Sequence, residues 1–193
     1  MRRFFILLSA LMMSFSTYTE TKKTIIVLQP FNGFPTEYIQ YVEKELKKVY
    51  PLVEVRAPIP IPEYCKNSSK TRYRADKLID YLGQNTDKGY CTIGLTNKDI
   101  STTKDQYPDW GVMGLGYCPG NSCIASTFRL KGSDKLEKLF KLSIHELGHT
   151  QGLQHCPETD CFMEDAKGKD SFKKEKDFCK NCKIKLIKAG WKL

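Results

Sequence analysis

The chain predicts a single α/β (α+β) domain built on a mixed sheet, and three observations carry that prediction. Short apolar runs alternate with stretches of helical periodicity through the first half. A long helical segment that carries two of the three histidines follows, and a lysine-rich amphipathic segment closes the chain as a C-terminal helix. Of 193 residues about 177 remain once an N-terminal leader is set aside, enough for one well-cored domain and hardly enough for two.

The leader comes first. Arg2 and Arg3 precede an apolar run over 4–15, and Ser14 and Ser16 frame a small-x-small cleavage site, which together read as a signal peptide over 1–16. Twelve helical residues cover about 18 Å against about 30 Å of hydrocarbon, so an uncleaved anchor is the weaker alternative. A mature domain of 17–193, secreted or periplasmic and without stable membrane insertion, is expected. Its formal charge falls from +9 to +7 with the two arginines. Residues 17–23 are too few for an inhibitory prodomain.

The run 24–28 reads as a buried strand, and Tyr38, Ile39, Val42, Leu46 and Val49 follow at helical spacing. A second strand is expected over 52–56, then a stiff extended connector, APIPIP, over 57–62. Ala75, Leu78, Ile79 and Leu82 mark a second helix, and 90–95 a third strand. Gly111, Gly114 and Gly116 could be taken for a phosphate cradle, but no helix opens after them and Cys118-Pro119 interrupts. They read as strand and turn glycines, and no nucleotide is expected. The run 122–130 is a further strand. Asp134-x-x-Glu137 resembles a capping box that opens a helix carrying Leu136, Leu139, Phe140, Ile144 and Leu147.

That helix runs into His145-Glu146-Leu147-Gly148-His149-Thr150-Gln151-Gly152-Leu153-Gln154-His155. Residues i and i+4 share a helix face, so His145 and His149 can aim at one ion. Glu146 can reach a water on that ion, as general base and then general acid. Gly152 tolerates the φ > 0 of a sharp turn, after which His155 arrives from outside the helix. Three histidines leave a fourth position for water, as catalytic zinc sites do. Histidines falling into register by chance would not explain Gly152 and His155 as well.

Beyond the motif stand Cys156, Cys161, Met163, Cys179 and Cys182. Over 144–182 the chain resembles the archaemetzincin family of zinc metalloproteases. The resemblance implies a zincin-like fold with an active-site helix, a catalytic zinc on His145, His149 and His155, and Met163 as the Met-turn residue beneath it. It also implies a second, structural zinc on Cys156, Cys161, Cys179 and Cys182, so zinc is the expected cofactor at two ions per chain. It makes 122–130 the sheet edge beside the cleft, where an extended peptide could add by backbone hydrogen bonds; on the residues alone an ordinary core strand is as good a reading. One departure is visible: 15 residues separate Met163 from Cys179, a little short for the family.

Cysteine spacing supports the second site independently, since Cys179-x-x-Cys182 is a zinc-knuckle spacing and Cys156-x4-Cys161 can close through a turn. Two disulfides are the alternative in an exported chain. Cys65, Cys91, Cys118 and Cys123 allow three pairings, of which Cys118–Cys123 and Cys65–Cys91 are favoured. Ten lysines over 167–192, against Asp170, Glu175 and Asp177, read as a solvated helix face rather than a site for an anionic polymer.

The expected activity is hydrolysis of peptide bonds by a zinc-activated water with Glu146 as base and acid, in a monomer acting on a peptide or protein substrate. The alternative is a secreted, zinc-stabilised binding module with little hydrolytic activity, against which Glu146 argues. A zinc-ribbon nucleic-acid binder is weakened by the leader, so no nucleic acid is expected.

Overall fold

In the computed structural model residues 24–165 and 172–193 are described; the expected signal peptide lies outside them. Among these residues no helix is long and apolar enough to cross a membrane.

The first half alternates as the periodicity requires. Strand β1 (Ile25–Pro30) leads into α1 (Thr36–Val49), whose Ile39, Val42 and Leu46 are its buried stripe, and returns as β2 (Val53–Val55). After a single 3-10 turn at Glu63–Cys65 come β3 (Tyr73–Arg74), α2 (Ala75–Gln84) and β4 (Tyr90–Thr96). Then follow β5 (Ile100–Lys104), β6 (Tyr107–Val112), β7 (Gly114–Gly116), β8 (Ser122–Ser126), α3 (Lys135–Thr150) and α4 (Lys180–Lys188). The extended connector is tied down: Ile59 bridges Phe31, and the Asn32 amide donates to Ile59 O at 2.8 Å.

The main sheet has the order β2-β1-β4-β8-β7. Its first four strands are parallel, with Val27 beside Thr92 and Gly94 beside Ile124, whereas β7 runs antiparallel to β8. Two expectations change here. The strand read over 122–130 stops at Ser126 and lies inside the sheet; β7, built from two glycines and Leu115, forms the edge. The reason is that β8 is buried at every position and needs a neighbour on both sides. A second sheet, β3-β5-β6, has no counterpart in the sequence reading, because its strands carry polar, mostly half-exposed residues without apolar alternation.

Two apolar clusters cover the sheet. Along β8, Cys123 and Ala125 enter the larger one, beneath α1 and α3, while Ile124 enters the smaller one under α2. Leu139, Ile144 and Leu147 of α3 are fully buried in the larger cluster, each contributing roughly 1.5–3 kcal/mol. The chain end closes it: Trp191 packs on Tyr50 at 5.3 Å between ring centroids, and the Lys192 amide donates to Val49 O at 2.7 Å. Helix α4 buries Cys182 and Leu186 and leaves its lysines toward solvent, as expected.

None of the eight cysteines is in a disulfide. Cys65 belongs to the α2 cluster and Cys91 to the α3 cluster, so the favoured Cys65–Cys91 bridge would have to pass through the sheet. Cys118 does not reach Cys123 either; its thiol is turned to Leu153 O at 3.2 Å. The capping box is also absent: Asp134 makes no side-chain cap and pairs with Lys138 at 3.3 Å, and Glu137 pairs with Lys141 at 2.7 Å.

Candidate metal centres and active-site cleft

Helix α3 puts His145 and His149 one turn apart, with their Nε2 atoms 3.0 Å from each other. The helix ends in a left-handed turn at Gly152, φ +85°. There the Gly152 amide donates to His149 O at 2.8 Å and the Leu153 amide to Gly148 O at 3.1 Å, closing the last carbonyls as a Schellman-type ending does. The chain reverses, and His155 comes back with its ring 5.4 Å from that of His145 and 4.9 Å from that of His149. The three imidazoles each bring a nitrogen within 4.8 Å of the others.

Carbonyl partners fix the two helical rings. His145 Nδ1 donates to Phe162 O at 2.6 Å and His149 Nδ1 to Leu153 O at 2.7 Å. Each Nε2 is thereby left as a lone-pair atom turned to the common point, the tautomer a metal requires. Burial, then the neighbouring His149, pushes His145 down to about 4, so it stays neutral at physiological pH. Lone pairs 3.0 Å apart with no proton to share repel unless a cation lies between them, and the donor set therefore fits zinc.

Glu146 is buried beside them, and burial pushes its carboxyl up to about 8. It packs onto the edge strand: a Cβ at Gly114 would lie 2.4 Å from Glu146 Oε1. A side chain at that edge position would displace the carboxylate. Met163 is fully buried, and a Cβ at Gly148, between the two helical histidines, would meet its Sδ at 2.5 Å. Gly148 and Gly114 thus have steric roles that the sequence reading did not assign. Gly148 had a signal, a glycine inside an α-helix between two candidate ligands; Gly114, about thirty residues before the motif, had none.

The four cysteines form the second cluster. Cys156 Sγ lies 3.7 Å from Cys179 Sγ and Cys161 Sγ 3.9 Å from Cys182 Sγ, and all four sulfurs are within 4.8 Å of one another. Disulfide sulfurs would be about 2.05 Å apart, whereas ligands on zinc arms of about 2.3 Å make a tetrahedron with edges of about 3.8 Å. The cluster fits zinc in both donor type and spacing. Burial pushes the Cys161 thiol up, and the amides of Cys179 at 3.3 Å and Met163 at 3.5 Å, which donate to its Sγ, oppose that rise. The Cys156 amide donates to Met163 O at 2.7 Å, so the segment between His155 and Met163 is stitched at both ends.

His145, Glu146 and His155 open into a cleft of about 780 Å³. Its other walls come from β5 and β6, from 128–131 after β8, from the start of α3, and from Glu164, Asp165, Phe172 and Glu175.

Comparison with known proteins agrees with this geometry. The model of peptidase family M54 matches residues 12–188. The archaemetzincin of Haloquadratum walsbyi is 28% identical over 172 residues, covering 82% of this chain and 96% of that protein. The one from Halobacterium salinarum is 29% identical over 167 residues, covering 79% and 94%. Among solved structures, the archaemetzincin of Methanopyrus kandleri superposes with a TM-score of 0.73 at 27% identity, over 89% of this chain and 98% of that one. The archaemetzincin of Archaeoglobus fulgidus, in complex with malonate, gives 0.72 at 25% identity over 84% and 99%. On a matched family model, an α/β fold shared across the chain and a three-histidine cluster in a cleft, this chain belongs to peptidase family M54, the archaemetzincins, and is a zinc metallopeptidase.

Proposed function

We propose that this chain is an exported peptidase holding two zinc ions, a catalytic one on His145, His149 and His155 and a structural one on Cys156, Cys161, Cys179 and Cys182. The observation that carries the reading is the convergence of three imidazoles and a buried carboxyl at one cleft. Zinc at the three histidines supplies Lewis acidity, which polarises a peptide carbonyl and acidifies water. The protein's residues do the rest. The outer side of β7 has no partner strand among the described residues, so a peptide can pair along it with its backbone facing Glu146. Glu146 takes a proton from the attacking water and returns it to the leaving amide nitrogen. Burial raises the proton affinity of this carboxyl above that of a solvated one, which suits it to take up the water's proton and hold it until the nitrogen accepts it. Leu153 O and Phe162 O keep the imidazoles in one tautomer and one orientation throughout.

Export rests on Arg2, Arg3, the apolar run 4–15 and the small residues at 14 and 16, and it implies a mature domain of 17–193, acting as a monomer in a secreted or periplasmic location. The deciding experiment is Glu146→Gln. Cleavage of an unstructured protein substrate should fall by roughly 10²–10⁴-fold, the usual worth of a general base, while zinc by elemental analysis stays at two ions per chain. Zinc lost together with activity would make Glu146 a ligand or a structural group.

A further inference from the structure

Arg129 lines the same cleft as His145 and Glu146, and nothing in peptide-bond hydrolysis by those residues requires it there. Its guanidinium is held rigidly. Nε donates to Asp99 Oδ1 at 2.9 Å and Nη2 to Asp99 Oδ2 at 3.0 Å, a bidentate clamp that leaves both Nη1 hydrogens and the second Nη2 hydrogen for another acceptor. The space it fills exists because residue 111 is glycine: a Cβ there would lie 2.1 Å from Nη2 and 2.3 Å from Cζ. Asp99 does not neutralise Arg129 alone, since it also accepts from Arg72 Nε at 2.8 Å; Arg72 turns its Nη1 to Asp109 at 3.3 Å.

Positive charge continues along this wall. Lys131 and Lys104 line the cleft as well. The Lys104 ammonium lies 5.4 Å above the Trp110 ring. Neither lysine forms an ion pair with a described residue. Lys138, at the start of α3, is already committed to Lys131 O at 2.8 Å and Asp134 at 3.3 Å and adds field rather than a contact. The acidic residues of the cleft apart from Glu146, namely Glu164, Asp165 and Glu175, belong to a different segment, after His155. The basic residues Arg129, Lys131 and Lys104 thus come from other segments of the chain than these acids, and among them is a clamped guanidinium with donors to spare.

We propose that Arg129, supported by Lys131 and Lys104, is a subsite for a carboxylate of the bound peptide and so determines substrate specificity. This deepens the peptidase reading and rests on it for the identity of the ligand. A planar guanidinium fixed by one carboxylate pays little ordering entropy to receive a second, and it discriminates a carboxylate from its amide by charge and bidentate geometry. The carboxylate has two possible sources, an acidic side chain or the peptide's free C-terminus.

The test separates binding from turnover. Zinc-loaded Glu146→Gln protein is titrated, by fluorescence anisotropy, with dansyl-hexaalanine, with the same peptide carrying Glu at each position in turn, and with the Gln counterparts. Each peptide is used with a free and with an amidated C-terminus. An acidic side chain as ligand predicts at least threefold tighter binding of one Glu peptide than of its Gln twin, in the amidated series too. A C-terminal carboxylate predicts that gap between free and amidated forms whatever the sequence. Arg129→Met on the same background should erase the gap, Arg129→Lys should keep part of it, and Lys131→Glu should narrow it. Gly111→Ala, which leaves Arg129 and Asp99 in the chain but fills the guanidinium's place, should act as Arg129→Met does and covers the case in which that variant folds poorly. If no pair differs threefold, or the gap survives both Arg129→Met and Gly111→Ala, the subsite is wrong. If instead the zinc-loaded wild-type protein cleaves none of these peptides nor unfolded casein, the peptidase reading fails, and the binding result still decides the subsite.

Discussion

The histidine and cysteine clusters are built from opposite kinds of information. The first is helical and local: two donors come from one face of α3, the third from a turn that closes within three residues of the helix end, and the cluster opens to a cleft. The second is assembled from two distant pieces, Cys156 and Cys161 against Cys179 and Cys182, with Cys161 and Cys182 buried. One site is an opening and the other a knot. The knot begins at the residue after His155 and reaches to two residues before Met163, so it holds the loop that delivers the third histidine and the methionine packed against Gly148. A site left open for substrate lacks a closed shell of its own, and a metal held by the neighbouring cluster would supply the stiffness.

Breaking the knot should have the largest effect. Replacing Cys179 and Cys182 together by serine removes binding energy that, for structural zinc, amounts to about 10–16 kcal/mol and is folding energy as well. We expect the melting temperature to collapse and the affinity of the three-histidine site to fall with it, both read under reducing conditions by calorimetry and zinc titration. Wild-type values in both would mean that the two sites are independent and that the cysteines do not hold a metal.

His155→Ala tests the comparison from the other side. It should weaken catalytic zinc by more than the roughly 10–100-fold that loss of a supporting partner costs and remove activity, yet leave the melting temperature of the remaining cysteine site nearly unchanged. A large drop in melting temperature would show that stiffness flows both ways.

Chelation sharpens the contrast without mutation. With excess chelator, one zinc should leave quickly together with activity and the second much more slowly, because three protein ligands and solvent access favour exchange while four thiolates without an open position resist it. Two ions leaving at one rate would erase the distinction between an open and a closed site.

The smallest effect is expected at Gly148. Alanine there must push against Met163 Sδ, which has no free space, and overpacking of this kind costs about 1–3 kcal/mol. Thermal unfolding should register that loss, with zinc content intact. No change in stability would mean that Met163 is not seated on the helix as tightly as the structure has it.

How much of this was legible beforehand follows from the range of each interaction. The histidine site could be read because helical spacing and one glycine turn are written within eleven consecutive residues. The cysteine ligands could be read as candidates, through spacing and family likeness. The strand edge could not: β7 is three residues long, two of them glycine, and carries no apolar alternation. The capping box failed because Asp134 and Glu137 each had a lysine one turn away that competes with the backbone amides.

By itself the sequence determined which donors are available, the helix and turn that gather three of them, the alternation of strands and helices, and zinc-dependent peptidase chemistry. Only the tertiary structure decided that Cys65 and Cys91 face different clusters, that β7 rather than β8 borders the cleft, and that Gly111 and Gly114 make room for Arg129 and Glu146. Those facts depend on contacts between segments far apart in the chain, where periodicity carries no signal and a missing side chain has meaning only once the atom that takes its place is known.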